Sequence, residues 1–177
     1  PAFIESPFSY TTAFEWQNLC HKIREFFRVR NFLEVRTPTL VVSPGLEAFL
    51  NPFETTFQLG STKTRLFLPT SPEFHLKKLL VKGFTQIFEM KESFRNGEIS
   101  ERHQAEFLML EWYRAYAGPE SIIQDIRDIF AQVLSLEVEV TCFAELFRKH
   151  LDFELRPQST REELVALAKA KKIDYAS

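Results

Sequence analysis

FTQIFEMKESFRNGEISERHQAEFLMLEWYRAY, residues 84–116, decides the fold. It contains two apolar runs separated by a polar, charged loop, the pattern of two antiparallel strands joined by a long turn. The second run, Glu106 to Ala115, sends alternate side chains to opposite sides of a sheet. Phe107, Met109, Glu111 and Tyr113 share one face; Leu108, Leu110 and Trp112 share the other, which reads as core. A carboxylate in the middle of the first face is more than a simple half-buried strand requires. The first run, Phe84 to Phe94, delivers Arg95 to a strand end, and the loop carries Arg102 and His103 back. A cation thus meets an aromatic and acidic surface, an arrangement suited to a ligand with an anion in its middle and a cation at one end.

Working outward, apolar positions Trp16, Leu19, Cys20, Ile23, Phe26 and Phe27 recur at helical spacing and predict a helix from about Phe14 to Arg30, with residues 1–12 irregular. Asn31 ends that helix, and a strand starts over Phe32 to Val35 and runs to Pro38. Val41 to Leu50 is a loop around the turn signal Ser43-Pro44-Gly45. Phe53 to Leu59 and Arg65 to Leu68 form a ribbon turned at Gly60 to Thr64. Ser71-Pro72-Glu73 opens a helix, with Ser at the N-cap, Pro at the first helical position and an acid in the first turn. A capping role alone would account for Glu73. The same position near the positive end of the helix dipole favours an ionised carboxylate, which an ammonium pocket also wants. The helix passes through Leu76, Leu79 and Leu80 to Lys82 and stops at Gly83, with Lys77 and Lys78 on a solvated face. After a break at Gly118-Pro119, a helix over Ser121 to Leu134 places Ile122, Ile126, Ile129, Phe130 and Val133 on one face. Val138 and Val140 lie in a short strand or extended link, Cys142 to His150 in a short helix. Thr160 to Glu163 is a capping box before a last helix through Leu164, Leu167 and Ala168.

With 177 residues and 45% apolar content, the chain has the size and composition of one ordinary domain with a sizeable core. Its 19 Phe imply aromatic packing. A net charge of −2 and pI near 6.2 argue against a broad nucleic-acid-binding surface. Cys20 and Cys142 form no disulfide or zinc pattern, so a reducing, cytoplasmic setting is expected, and no apolar run of membrane-spanning length occurs. His21, His75 and His150 have no partners at metal or nucleophile spacing. No HExxH, GxSxG or P-loop is present, and no metal ligands are assigned.

FRNGEISERHQAEF followed by MLEWY resembles motif 2 of the class II aminoacyl-tRNA synthetases. FLEVRTPTL (residues 32–40) resembles the end of motif 1, NPFETTF (51–57) the lysyl-type PF-T segment, and TSPEFHLKKLL (70–80) the lysine-binding SPE helix. SPEFHLKKLL with EWYRA is most similar to the elongation factor P (R)-β-lysine ligases, small relatives of lysyl-tRNA synthetase. The resemblance covers nearly the whole chain and implies an α+β fold: an antiparallel sheet flanked by helices, with motif 1 at about 14–40, the SPE helix at 71–82, motif 2 at about 84–116 and a helical segment over 119–177. Nothing after Ser177 corresponds to motif 3, so the resemblance is to the first half of such a catalytic domain, and the 177 residues alone are expected to be inactive.

The resemblance also implies roles. Arg95 would be the catalytic cation, its planar fork holding substrate carboxylate and α-phosphate together. Asn96, Gly97, Glu98, His103, Gln104 and Phe107 would bind ATP, with Phe107 under the adenine. Ser71, Pro72, Glu73, Glu111 and Tyr113 would bind lysine or β-lysine. ATP is the expected co-substrate and Mg²⁺ the expected ion, with its ligands in the absent half. Elongation factor P is the expected acceptor and a homodimer through motif 1 the expected assembly. Two departures stand out: Gly97-Glu98 replaces the usual order around the motif's Glu, and Gln104-Ala105 replaces Asn-Pro. Two other readings stand beside this one, a fragment of lysyl-tRNA synthetase acting on tRNA-Lys and a non-catalytic synthetase-like binding module.

Overall fold

The computed structural model of the chain describes residues 9–45 and 47–174. The described residues up to Leu136 form one compact unit and those from Glu137 a second.

Helix α1 spans Tyr10–Arg28. It starts four residues before the expected Phe14, because the Ser9 hydroxyl accepts the Thr12 N–H at 3.1 Å and caps an opening turn too polar to show periodicity. Residues 1–8 of the expected irregular segment lie outside the described residues. At the other end Asn31 takes a left-handed φ of 60° and the Phe32 N–H returns to the Phe27 carbonyl at 3.0 Å, closing the helix as the sequence predicts.

That turn feeds β1, Leu33–Glu34, which is much shorter than expected. The main sheet has the order β1-β4-β5, with β4 at Gln86–Phe94 and β5 at Glu106–Arg114. The two long strands pair antiparallel over nine residues each, from Gln86 opposite Arg114 to Phe94 opposite Glu106, as the 84–116 stretch requires. The expectation of a wholly antiparallel sheet is corrected at one edge: β1 runs parallel to β4, Leu33 opposite Ile87 and Glu34 opposite Phe88. A parallel neighbour needs a long crossover, and residues 35–85 supply it.

Inside that crossover, β2 (Glu54–Leu59) and β3 (Thr62–Phe67) form a separate exposed hairpin. Its turn is only Gly60-Ser61, tighter than expected, with Gly60 at φ 60°. Helix α2, Glu73–Val81, begins with Pro72 rather than Ser71 at the cap position. Ser71 lies outside the helix, where its hydroxyl oxygen still accepts the Glu73 N–H at 3.0 Å while its proton is committed elsewhere.

The core lies on the face of the sheet away from Glu111. Phe27, fully buried, stacks on Phe88 at 4.5 Å and meets Phe26, Phe32 and Trp112 at 5.2, 5.0 and 5.6 Å. Leu110 and Trp112 pack against this cluster, as the strand alternation predicts. Fully burying such a ring stabilises by about 1.5–3 kcal/mol relative to leaving it in water, which is where the aromatic-rich composition is spent.

Helix α3, Pro119–Val133, adds Ile129 and Val133 to the cluster. The expected break at Gly118-Pro119 is in fact the start of this helix, because Pro is well tolerated where no backbone donor is needed. Phe130, expected in the core, is 37% exposed, whereas Asp125 is buried. Asp125 accepts two bonds from Arg114, at 2.7 and 2.8 Å, and one from the Trp112 indole at 3.2 Å. Strand β5 is thus tied to α3 through its own end.

The second unit holds α4, Phe143–Leu151, and α5, Arg161–Ala170. Residues 138–140 make no strand. The capping box is present: the Thr160 hydroxyl accepts the Glu163 N–H at 3.2 Å and the Glu163 carboxylate accepts the Thr160 N–H at 2.8 Å. Among the described residues no helix is long and apolar enough to cross a membrane.

Candidate functional site

The pairing of β4 with β5 sets out the face opposite the aromatic core residue by residue. Ser93 stands opposite Phe107, Lys91 opposite Met109, Glu89 opposite Glu111 and Ile87 opposite Tyr113. The Arg95 N–H donates to the Ala105 carbonyl at 2.9 Å, which continues the ladder one step and keeps Arg95 in the same row as Ser93 and Lys91. Phe107 and Glu111 are four residues apart on this face, about 13 Å at ~3.3 Å per residue.

At one end Ser71, Glu111 and Tyr113 form a hydrogen-bonded chain. The Ser71 hydroxyl donates to Glu111 Oε1 at 2.5 Å and the Tyr113 hydroxyl to Oε2 at 3.2 Å, so both carboxylate oxygens are held. Glu73 follows Ser71 into the first turn of α2 and is salt-bridged to Lys77, which lies on the solvated face as expected. Pro72 is buried beneath this turn. Burial pushes the Glu111 carboxyl above its ordinary value; the two hydroxyl bonds pull it down, and the charges of Glu73 and Glu47 push it up again. The Tyr113 phenol is raised far beyond its usual range, by burial first and then by Glu111 and Glu73. It therefore stays a donor.

At the other end Arg95, Glu98 and Phe107 meet. The guanidinium carbon lies 5.2 Å from the Phe107 ring centre, and Nη1 is 3.6 Å from Glu98 Oε2. Arg95 Nε is buried and has no hydrogen-bond partner. A half-buried guanidinium with an unspent donor is a ready anion binder. The connecting loop is pinned where the Asn96 N–H donates to the Asn51 carbonyl at 2.8 Å, and it turns at Gly97, whose φ of 86° favours glycine. The remaining expected residues are not drawn in. His103 is exposed, its Nδ1 2.8 Å from the Ser100 hydroxyl within its own loop; Asn96 and Gln104 are exposed as well.

Three features were not anticipated. Glu89 and Lys91, both 4% exposed at the side chain, form an ion pair of 3.6 Å in the floor of the face. Glu89 accepts from the Thr37 N–H at 2.7 Å and the Thr37 hydroxyl at 2.8 Å, and Lys91 donates to the Thr37 carbonyl at 2.7 Å. Their parity with Arg95 along β4 was the available signal. His75 sits near them; burial lowers its pKa, and the Lys78 and Lys91 charges lower it further. The third is Glu47. With Pro44, Gly45, Ser71, Glu73, Phe74 and Lys77, it lines a half-open cavity of about 270 Å³. Nothing in the spacing of a loop residue marks it.

The profile of the tRNA synthetases class II (D, K and N) matches residues 10–163. Among curated proteins, the chain is 39% identical over 137 residues to the elongation factor P–(R)-β-lysine ligase of Klebsiella pneumoniae (strain 342), covering 75% of this chain and 42% of that one. It is 37% identical over 162 residues to the same-named ligase of Mannheimia succiniciproducens, covering 89% and 50%. For that of Salmonella paratyphi B the values are 38% over 154 residues, covering 85% and 46%. The chain therefore spans half or less of the length of these relatives. The match of one family profile to nearly the whole chain, with both halves of the motif 2 hairpin in register on one sheet, leads to a single assignment: the chain belongs to the class II tRNA synthetases of the D, K and N group.

Proposed function

We propose that the protein carrying this chain activates lysine or β-lysine with ATP and transfers it to a lysine of elongation factor P. The observation that carries the reading is the division of one sheet face. A cation with an unspent donor stands beside an aromatic ring at one end, and a hydroxyl-bound carboxylate beside Glu73 at the other. An aminoacyl-adenylate has the same polarity, with its phosphate in the middle and its ammonium groups at one end. The names of the relatives supply the acceptor.

In this reading a substrate carboxylate oxygen attacks the α-phosphorus of ATP, and the bond to pyrophosphate breaks. Arg95 spans the carboxylate and the α-phosphate and stabilises the charge that gathers on the pentacoordinate phosphorus. Phe107 supports the adenine; Asn96, Gly97, Glu98, His103 and Gln104 form the loop that closes over the nucleotide. Ser71, Pro72, Glu73, Glu111 and Tyr113 receive the ammonium end, with Tyr113 locked as a donor. The amine of the acceptor lysine then attacks the activated carbonyl, and AMP leaves. Synthetases of this kind use Mg²⁺ with ATP. Among the described residues no group of three or more His, Cys, Asp or Glu side chains is placed to hold a metal, so no step is assigned to an ion here. The expected homodimer and cytoplasmic location belong to the same proposal.

The test is mass spectrometry of elongation factor P after incubation with ATP, (R)-β-lysine and the protein at its full encoded length. A mass increase of one β-lysyl group on a single lysine is expected. Charging of tRNA-Lys in its place would assign the protein to the tRNA-acting branch, and no ATP or diamine binding would leave a non-catalytic module.

A further inference from the structure

We infer that Glu47, in the loop before the exposed hairpin, is a specificity-determining residue of the diamine pocket and meets one of the substrate's two ammonium groups. This rests on the activation reaction proposed above, and it concerns a residue outside the motifs that led to that reading.

The cavity brings Glu47 and Glu73 together with Ser71, whose hydroxyl is bound to Glu111. Two carboxylates therefore line one space, and a third, Glu111, is joined to it through the Ser71 hydroxyl. Among the described residues, the cation paired with any of them is Lys77, on Glu73. Two negative charges are left without a cationic partner, and a diamine brings two ammonium groups. Glu47 is exposed to solvent in the empty pocket, and an ammonium seated against it gains a charge-assisted hydrogen bond. A monoamine would leave one carboxylate uncompensated, so the count of charges selects for a diamine.

Glu47 is also held in place. The buried Thr70 hydroxyl donates to Glu47 Oε2 at 3.0 Å, and the Thr70 hydroxyl oxygen also lies 3.2 Å from the Pro44 carbonyl oxygen. The loop bends at Gly45, whose φ of +138° disfavours any L side chain. A Cβ there would stand 3.4 Å from the Thr70 hydroxyl and 3.5 Å from Glu47 Oε2. Glycine thus lets the loop fold tightly enough to bring a carboxylate, fixed by one buried hydroxyl, to the pocket wall.

The experiment is ATP–pyrophosphate exchange by the full-length protein with (R)-β-lysine, comparing wild type, Glu47→Gln and Glu73→Gln. Inhibition constants are measured in parallel for 3-aminohexanoic acid, which lacks the distal amine, and 6-aminohexanoic acid, which lacks the other. Glu47→Gln is expected to raise KM for β-lysine roughly 10- to 100-fold, the loss of one charge-assisted hydrogen bond. The penalty should vanish for the analogue that lacks the ammonium Glu47 meets and persist for the other. If Glu47→Gln leaves KM within about twofold while Glu73→Gln raises it, the role of Glu47 is overturned and the activation reaction stands; an equal penalty on both analogues overturns it too. No diamine-dependent exchange by the wild type would overturn both.

Discussion

Replacing Glu89 by Gln tests whether the floor beneath the site is held by charge or merely by shape. Its carboxylate lies 3.6 Å from Lys91 Nζ with both side chains 4% exposed. At an effective dielectric of about 20, two unit charges at that separation attract by roughly 4–5 kcal/mol. Glu89→Gln removes that attraction and turns an amide donor toward the Thr37 N–H or hydroxyl, both of which need an acceptor. It also leaves Lys91 as a buried cation held by the Thr37 carbonyl and the Thr39 hydroxyl alone. Breaking one side of a buried pair costs about 3–5 kcal/mol, and that is the loss expected in urea unfolding followed by tryptophan emission. Trp112 packs against the core on the opposite face of the same strands and reports the transition. Lys91→Met should also destabilise, but the double variant Glu89→Gln/Lys91→Met should lose about 2–4 kcal/mol less than the two single losses added together. If the single losses add to within about 0.5 kcal/mol, the two charges do not sense each other and the reasoning fails.

Arg95→Lys keeps a positive charge but gives up the planar fork; it should lower the rate of pyrophosphate exchange by roughly 10²–10³-fold with a smaller change in KM for the diamine. Phe27→Ala removes the fully buried ring that stacks on Phe88 and should cost about 3–5 kcal/mol in the same unfolding assay. The Glu111 carboxyl titrates above its ordinary value because of burial, so its contribution to stability is full below that ordinary value and is lost as pH rises through the raised one. Binding runs the other way, since an ammonium needs the carboxylate. KM for β-lysine should therefore fall as pH climbs through the raised pKa, and Glu111→Gln should abolish that limb of the profile.

Much of the site was written in the strand parity. Period-two alternation put Phe107, Glu111 and Tyr113 on one face and Leu110 and Trp112 on the other, and the structure keeps both rows. That follows from pleated geometry alone, because once two runs pair, each residue's face is determined. Helix α1 and the Thr160 capping box were equally legible, since their signals are local. What the residues could not announce was anything requiring a partner distant in the chain. Asp125 reads as a surface acid on α3 until Arg114 is folded against it, and Phe130 reads as core yet is 37% exposed in the fold. The parallel entry of β1 beside β4 depends on a crossover of some fifty residues, for which the two short segments carry no signature. Glu47 is the extreme case: a loop carboxylate becomes part of a pocket wall only because Thr70 and Gly45, on either side of it in the chain, meet it in space. Sequence by itself determined which residues share a strand face and where the helices lie to within a few residues, because those are matters of neighbouring dihedrals and periods. Which charges face one another was decided by tertiary structure alone, since Coulomb energy depends on distance through space and not along the chain.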